Sequence, residues 1–422
     1  MYGRTCLLYL SAHFIFATSV TDDASYDLIY TTILYRHGDR TPINPYPNDP
    51  YRNNSFWPVP WGELTDAGKR GHFELGKWLR ETYKDLLPRK YHSKDIHIRS
   101  TDVDRTLMSA YSNLAGLYLP DKDSNWNPNI LWDPIPVHTV PESLDRVVAG
   151  KAWCPKYARE KKSILKNEFF QKIDEENKQL YEYLSQESGT KVTNVIDVFD
   201  IYDTLFIEER FKFKLPQWTN KVYPEPLKRL GSFSFMIPCF TREMARLKMG
   251  PLFAEILGNM NKKIKGNLTQ KAWMYSAHDT TVADFLQALG IFQPHSPPYL
   301  SLILVEMLKK NNEYFVTIQY RNSSSVPPYL LELPGCTKYC PMDAFRKILS
   351  DLIPEDWDEE CQDIEGFVQN LTESMNSVRF VTVVSLGILL FLSIMIAMKY
   401  YRQHRWSQTH FAYTILKMDS TS

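Results

Sequence analysis

Apolar positions along this chain fall into runs with different periods. Leu28 to Tyr35 (Leu-Ile-Tyr-Thr-Thr-Ile-Leu-Tyr) is continuous and β-branched, the pattern of a strand buried on both faces. Lys94 to Ser100 alternates (Asp-Ile-His-Ile-Arg) and predicts a second strand; Ala272 to Ala277 predicts a third, and Leu300–Leu308 and Tyr314–Tyr320 two more. Between these runs the period becomes helical. Leu75, Trp78 and Leu79 follow a helix start capped by Thr65, and Val103, Leu107, Ala110, Leu114 and Leu117 follow Ser100-Thr101-Asp102. Phe285, Leu286 and Leu289 follow a cap at Thr280-Thr281 and stop at Gly290. From about residue 125 to 250 strand runs give way to charge-rich helical segments such as Lys162 to Leu184. Strand–helix alternation predicts an α/β fold: a mostly parallel central sheet flanked by helices, with a smaller helical cap inserted.

Two further apolar runs concern the membrane. Leu7 to Phe16, behind Arg4 and ahead of Ala17, Thr18 and Ser19, has the layout of a secretory signal over residues 1–19 and is short for a bilayer-spanning anchor. Phe380 to Met398 carries no charge and has the length of a transmembrane helix. Lys399, Arg402 and Arg405 follow it, whereas the other flank has Arg379 nearby and Glu373 beyond. By the positive-inside tendency, residues 399–422 are a cytoplasmic tail, 366–379 a juxtamembrane linker and 20–365 a lumenal or extracellular domain. The expectation is a type I single-pass protein; a buried core helix at 380–398 is the competing reading, weakened by the N-terminal signal.

Composition adds little to this picture. Lys+Arg and Asp+Glu both number 49, so nothing global favours nucleic acid, and 44% hydrophobic residues over 422 allow one large or two moderate cores. The predicted compartment gives meaning to Asn53, Asn267, Asn322 and Asn370, each opening an Asn-Xaa-Ser/Thr acceptor site. It also gives meaning to cysteine. Once Cys6 leaves with the signal, Cys154, Cys239, Cys336, Cys340 and Cys361 remain, and most should pair. Cys336 and Cys340 flank a short loop after Pro334-Gly335 and are expected to bond; their spacing also suits metal ligands, but no matching second pair exists.

The chemistry collects where strands end. Tyr35-Arg36-His37-Gly38-Asp39-Arg40-Thr41-Pro42 follows the first strand, Arg105 falls in the first turn of the helix after the second, and His278-Asp279 follow the third. Parallel strands bring such ends to one crevice. Two guanidiniums as close as Arg36 and Arg40 repel unless an anion lies between them, and their planar donors suit phosphate or carboxylate. A cation at a helix N-terminus, like Arg105, opposes the dipole unless an anion is bound; pairing with Asp102 or Asp104 is the plain alternative.

Together these motifs resemble the histidine acid phosphatases of the lysosomal and prostatic type. The likeness covers most of the lumenal domain, including Cys336-Thr-Lys-Tyr-Cys340 and Asp356-Trp-Asp-Glu-Glu-Cys361, and extends to the order of signal, ectodomain, span and short tail. The resemblance implies hydrolysis of orthophosphoric monoesters at acid pH. His37 would be the nucleophile forming a phosphohistidine, Asp279 the proton donor, and Arg36, Arg40, Arg105 and His278 the phosphate ligands, with no metal and no cofactor. It implies a Cys154–Cys361 disulfide, leaving Cys239 free, and an assembly that is often dimeric. Relatives carry one more cysteine pair; the corresponding stretches here, Leu205-Phe206-Ile207 and Leu300-Ser301-Leu302, have none. His-Asp in place of His-Ala-Glu argues against the inositol-polyphosphate branch. In the tail, Tyr413-Thr-Ile-Leu416 resembles the tyrosine signals that adaptor complexes read during endocytosis, so the expected location is lysosomal, endosomal or at the cell surface. A membrane receptor or adhesion ectodomain on the same fold is the alternative, and the presence of all six site residues weighs against it.

Overall fold

The computed structural model describes residues 25–121, 125–363 and 385–403. In chain order the main elements are β1 (Asp27–Arg36), α1 (Asp66–Thr82), β2 (Ile96–Ser100), α2 (Asp104–Leu117), α3 (Pro155–Ile164), α4 (Glu168–Glu176), α5 (Lys178–Ser188), α6 (Val195–Arg210), α7 (Leu227–Ser232), α8 (Arg242–Ile264), β3 (Ala272–Ala277), α9 (Asp279–Ala288), β4 (Leu302–Lys310), β5 (Glu313–Arg321), β6 (Tyr329–Leu331), β7 (Cys340–Pro341), α10 (Met342–Ser350), α11 (Trp357–Glu360) and α12 (Ser385–Gln403). They form two compact units. The larger runs through Trp153 and from Ile164 to Glu355; the smaller holds Cys154–Ser163 and the chain from Asp356 onward.

The larger unit is built on a sheet of order β2-β3-β1-β4-β5-β6, with β7 also paired to β5. Central β1 is buried from Tyr30 to Arg36 on both faces, which is why its sequence is continuous rather than alternating; edge strand β2 keeps the alternation, with Ile96, Ile98 and Ser100 buried. Successive β1 side chains feed two cores. Ile33 and Tyr35 join Leu75 and Leu79 of α1 and Leu114 and Leu117 of α2. Tyr30 and Leu34 join Leu252, Phe253 and Ile256 of α8, Phe285 of α9 and Phe345 of α10. Helices thus cover both faces, as an α/β sheet requires. A third core lies among α5, α6 and α7, with Tyr46 from the loop after β1 added to Leu184, Ile201, Leu205 and Leu230.

The sheet is mixed, which corrects the expectation of a mostly parallel one. β1–β3 and β2–β3 are parallel, whereas β1–β4, β4–β5, β5–β6 and β5–β7 are antiparallel. Asn311 and Asn312 explain the β4–β5 reversal. Both have positive φ (50° and 65°), the two-residue turn that closes a hairpin, so β5 returns beside β4 instead of crossing over a helix.

Two helix starts also differ from the reading of the sequence. α2 begins at Asp104 behind Val103, with no side-chain cap, because Thr101 is committed elsewhere: its hydroxyl bonds Thr106 Oγ1 and His278 Nε2. α9 begins at Asp279, ahead of the threonines expected to cap it. Its other end is as read: Gly290 (φ 72°) donates to Gln287 O and Ile291 to Leu286 O, a Schellman closure. The expected segment Lys162–Leu184 is three helices, broken at Asn167 and Asn177.

Within the smaller unit the Cys154–Cys361 disulfide joins the start of α3 to the end of α11, reinforced by Lys156 N–H donating to Cys361 O (3.2 Å) and by an Arg159–Asp363 ion pair at 3.1 Å. Helix α12 has a mean hydropathy of 1.3 over its most apolar stretch and is long and apolar enough to cross a membrane; it runs to Gln403, five residues past the expected end. In the larger unit Cys336 bonds Cys340, and Cys239 is a buried free thiol. The signal segment, the linker, Asn370, Tyr413 and Leu416 lie outside the described residues.

Candidate active site

Because β2, β3 and β1 run parallel, their C-terminal ends share one edge of the sheet, and the motif residues meet there. Arg36 is the last residue of β1, and the ladder continues one step past it: His37 N–H donates to Ala277 O at 2.9 Å. The turn that follows lies against the start of α1. A Cβ on Gly38 would stand 2.6 Å from Gly68 O, and one on Gly68 would stand 2.5 Å from Asp39 O, so neither position accepts a side chain without moving backbone. Thr65 fixes that helix start to the motif: its side chain accepts from Gly68 N–H, and its hydroxyl and N–H both donate to Asp39 O.

His37 is buried, and its Nδ1 lies 2.8 Å from Gly38 O. A carbonyl can only accept, so Nδ1 carries the proton and Nε2 keeps its lone pair. Burial, then the charges of Arg36, Arg105, His278 and Arg40, hold the imidazole well below the usual histidine range, so it is neutral. His278 lies beside it, ring centroids 5.6 Å apart, and is pushed down to about 3 by burial and by Arg105. Its Nε2 is 3.0 Å from Thr101 Oγ1.

The guanidiniums are buried at the same edge. Arg36 donates through Nη2 to Asp279 Oδ2 at 2.7 Å and through Nη1 to Pro297 O, and it lies 4.1 Å above the Tyr299 ring. Arg40 pairs with Asp203 Oδ2 of α6 at 3.0 Å. Arg105 Nε has no hydrogen-bond partner among the described residues, and burial followed by the repulsion of Arg40 lowers its pKa. Asp279 feels opposite influences. Burial raises its pKa, but Arg36, Arg40, His278 and the Thr280 N–H that its Oδ1 accepts outweigh this, leaving it below the ordinary carboxylate value. Three guanidiniums facing this carboxylate suit an oxyanion and are ill suited to a metal cation.

All six residues singled out in the sequence therefore come together. The structure adds Asp203, Tyr299, Thr101 and the Asp39–Arg210 ion pair, which sequence reasoning missed. Asp203 had a faint signal, as the last of three aspartates (197, 200, 203) at three-residue intervals among the apolar residues that open α6. Tyr299 follows two prolines in what reads as a plain loop, and its partners come from other segments.

A neutral, tethered imidazole amid guanidiniums at the carboxyl edge of an α/β sheet defines a class of enzymes that handle phosphoryl groups. Residues 27–321 match the histidine phosphatase superfamily (branch 2), and the chain belongs to that family. Human prostatic acid phosphatase is 39% identical over 79% of this chain and 88% of its own length. Human lysosomal acid phosphatase is 38% identical over 80% of this chain and 81% of its own. With relatives so close over most of their length, the chain is a phosphatase. Among solved structures, Hafnia alvei phytase in its apo form superposes with a TM-score of 0.60 over 80% of this chain and 98% of its own, at 18% identity, a likeness of fold alone.

Proposed function

We propose that this protein hydrolyses orthophosphoric monoesters at acid pH through a phosphohistidine on His37. The observation that carries this is the hydrogen bond from His37 Nδ1 to Gly38 O in a buried, neutral ring. It leaves Nε2 as the nucleophile and provides a carbonyl that stabilises the positive charge the ring acquires on attack. Arg36, Arg40, Arg105 and His278 hold the phosphoryl oxygens. Nε2 bonds to phosphorus, the ester P–O bond breaks, and the departing oxygen takes a proton from Asp279. A water then attacks phosphorus, giving its proton to Asp279; the N–P bond breaks, releasing orthophosphate and neutral imidazole.

Asp279 must be protonated for the first step, yet the guanidiniums favour its charged form. A phosphoryl group among Arg36, Arg40 and Arg105 offsets their charge and lets the Asp279 pKa rise, so acid pH and bound substrate act together.

His37→Ala should abolish turnover while phosphate or vanadate binding stays measurable. Rapid-quench labelling should give acid-labile, base-stable phosphate on the unaltered protein. Substantial turnover in the variant, with no trapped label in the parent, would remove His37 from the nucleophile role. Asp279→Asn should slow esters of poor alcohol leaving groups far more than a nitrophenyl ester, whose anion leaves unaided.

The same reading places residues 20–365 in the lumen with α12 in the membrane, a signal at 1–19, a helical cap near 125–250, and an adaptor signal at Tyr413 and Leu416 directing the protein to lysosomes. Asn53 and Asn267 are exposed and Asn322 is half-buried, the first two being the better glycan acceptors. For pairing of two copies, the loop at 125–132 offers exposed Trp126, Ile130 and Leu131.

A further inference from the structure

A fourth arginine stands at the same sheet edge, outside the set that the motifs define. Arg210 closes the last turn of α6. Its guanidinium lies 5.7 Å from the Phe206 ring and 5.6 Å from the Tyr299 ring, and Tyr299 in turn carries Arg36 at 4.1 Å and stands 5.8 Å from the His37 ring. One aromatic ring thus links Arg210 to the first residues of the phosphoryl site. The Arg210 side chain is 45% exposed, whereas Arg36 and Arg40 are 3% and 5% exposed. Its Nη2 is bonded to Asp39, which sits between His37 and Arg40 in the chain. The Asp39 carboxylate also acts on the Tyr299 hydroxyl, which is buried and has no hydrogen-bond partner among the described residues.

These facts separate Arg210 from the other arginines in kind. A buried guanidinium fixed by a buried carboxylate holds its position through the reaction. Arg210 is half-exposed, and although its Asp39 partner is only 13% exposed, water reaches the guanidinium side of the pair and weakens it. A second anion can therefore approach Arg210 from the solvent side and compete with Asp39 for it. With the phosphorus of a bound ester at His37, its alcohol part extends toward solvent, and Arg210 is the exposed member of the Arg36–Tyr299–Arg210 series.

We propose that Arg210 recognises a second anionic group, carried on the alcohol part of a small phosphomonoester, so that such esters are preferred over those with an uncharged alcohol. Phe206 and Tyr299 pack about the guanidinium and hold it toward that group, and Asp39 is the resting partner that the substrate displaces. The inference rests on the phosphatase reading above and adds a substrate class to it.

The test uses the whole protein and three substrates: phenyl phosphate, carboxyphenyl phosphate and phenylene bisphosphate. Because a carboxylate alters the leaving group itself, the quantity compared is each variant's kcat/KM relative to the unaltered protein on the same substrate. Arg210→Gln should lose about tenfold more on the two anionic esters than on phenyl phosphate, mainly through KM, the size of one charge-assisted hydrogen bond. Arg210→Lys should restore most of that difference, and Asp39→Asn, which removes the competitor, should shift preference the other way. Raising the ionic strength should shrink the preference in the unaltered protein. A loss confined to one anionic ester supports the inference and identifies the group read as carboxylate or phosphate. Equal losses on all three substrates, with Asp39→Asn shifting nothing, would overturn it and leave Arg210 as a tie between α6 and the motif. If the unaltered protein hydrolyses none of the three in a His37-dependent way, the phosphohistidine reading fails and this inference with it.

Discussion

Two buried clusters of titratable groups respond to burial with opposite signs. At the sheet edge His37, His72 and His278 are driven toward the neutral base, His72 and His278 to about 3. Beyond Arg40, the loop after β1 meets α6, and there Asp49 and Glu208 are buried, with Asp49 Oδ2 and both Glu208 carboxyl oxygens lacking a hydrogen-bond partner among the described residues. Burial raises Asp49 against the lowering influence of Glu208, the Tyr51 N–H and Arg52, and burial, with Asp49 adding to it, pushes Glu208 up to about 9. The charged groups facing the pair do not cancel it. Arg52 favours the charged form of Asp49, while Tyr46 and Tyr223 bring only phenols that burial first, and nearby carboxylates second, keep protonated. The same loss of water that keeps a base free of its proton keeps an acid from losing one.

The consequence for stability follows from proton counts. A buried histidine binds no proton in the folded state where the unfolded chain binds one, so acidification below about 6.5 destabilises. A carboxyl raised to about 9 retains a proton that the unfolded chain has released, so acidification from about 9 toward 4.5 stabilises. In an acid compartment the α6 cluster offsets what the histidine cluster loses.

The strongest way to break this arrangement is to cut the buried link between them, the Asp203–Arg40 pair. Asp203→Ala leaves a buried guanidinium without its carboxylate, and kcat/KM should fall roughly tenfold to a hundredfold with a rise in the phosphate inhibition constant. Asp203→Glu should recover part of the loss; unchanged kinetics in the alanine variant would show that Arg40 holds its place without α6.

Next in size is Glu208→Gln, which fixes the protonated shape. Relative to the variant, the parent should lose about 2–3 kcal/mol of stability between pH 5 and 7, so the difference between their denaturant midpoints should move in the variant's favour as the pH rises. Parallel pH profiles would mean that the pair is not titrating.

His72→Gln tests the opposite sign. His72 Nε2 lies 3.2 Å from Arg36 O, and its Nδ1 has no partner among the described residues. Removing its titration should spare the variant about 2 kcal/mol of the parent's loss between pH 6.5 and 5, whatever the variant's starting stability. The smallest effect belongs to an exposed ion pair that neither cluster uses. Lys69→Ala, which breaks the contact with Asp66 on α1, should change stability by less than about 0.5 kcal/mol and leave the pH profile unaltered.

The two clusters also differ in how far they could be read from residues alone. Arg36, His37 and Arg40 share one turn, and Arg105 and His278-Asp279 stand at the same point after their own strands, so strand period and a parallel pairing rule suffice to gather them. Asp49 and Glu208 are 159 residues apart in unremarked polar company, and no local pattern says that water is absent from both. Asp203 and Arg210 lie on α6, whose approach to the motif is set by a third core that includes Tyr46.

What the sequence settled by itself is what depends on near neighbours: the strands with both faces buried, the Thr65 cap, the Gly290 stop, and which side chains stand at strand ends. It also held, unread, the Asn311-Asn312 turn that makes β4 and β5 antiparallel. Only the tertiary structure decided the rest. Which nitrogen of His37 carries the proton depends on the Gly38 carbonyl being turned toward it. Whether Asp279 is acid or carboxylate depends on guanidiniums delivered by β1 and its following turn, and whether Arg210 is a tie or a reader depends on a helix more than 150 residues along the chain. Charge interactions fall with distance through space and not along the sequence, and the water they must displace is excluded only when distant segments close over them.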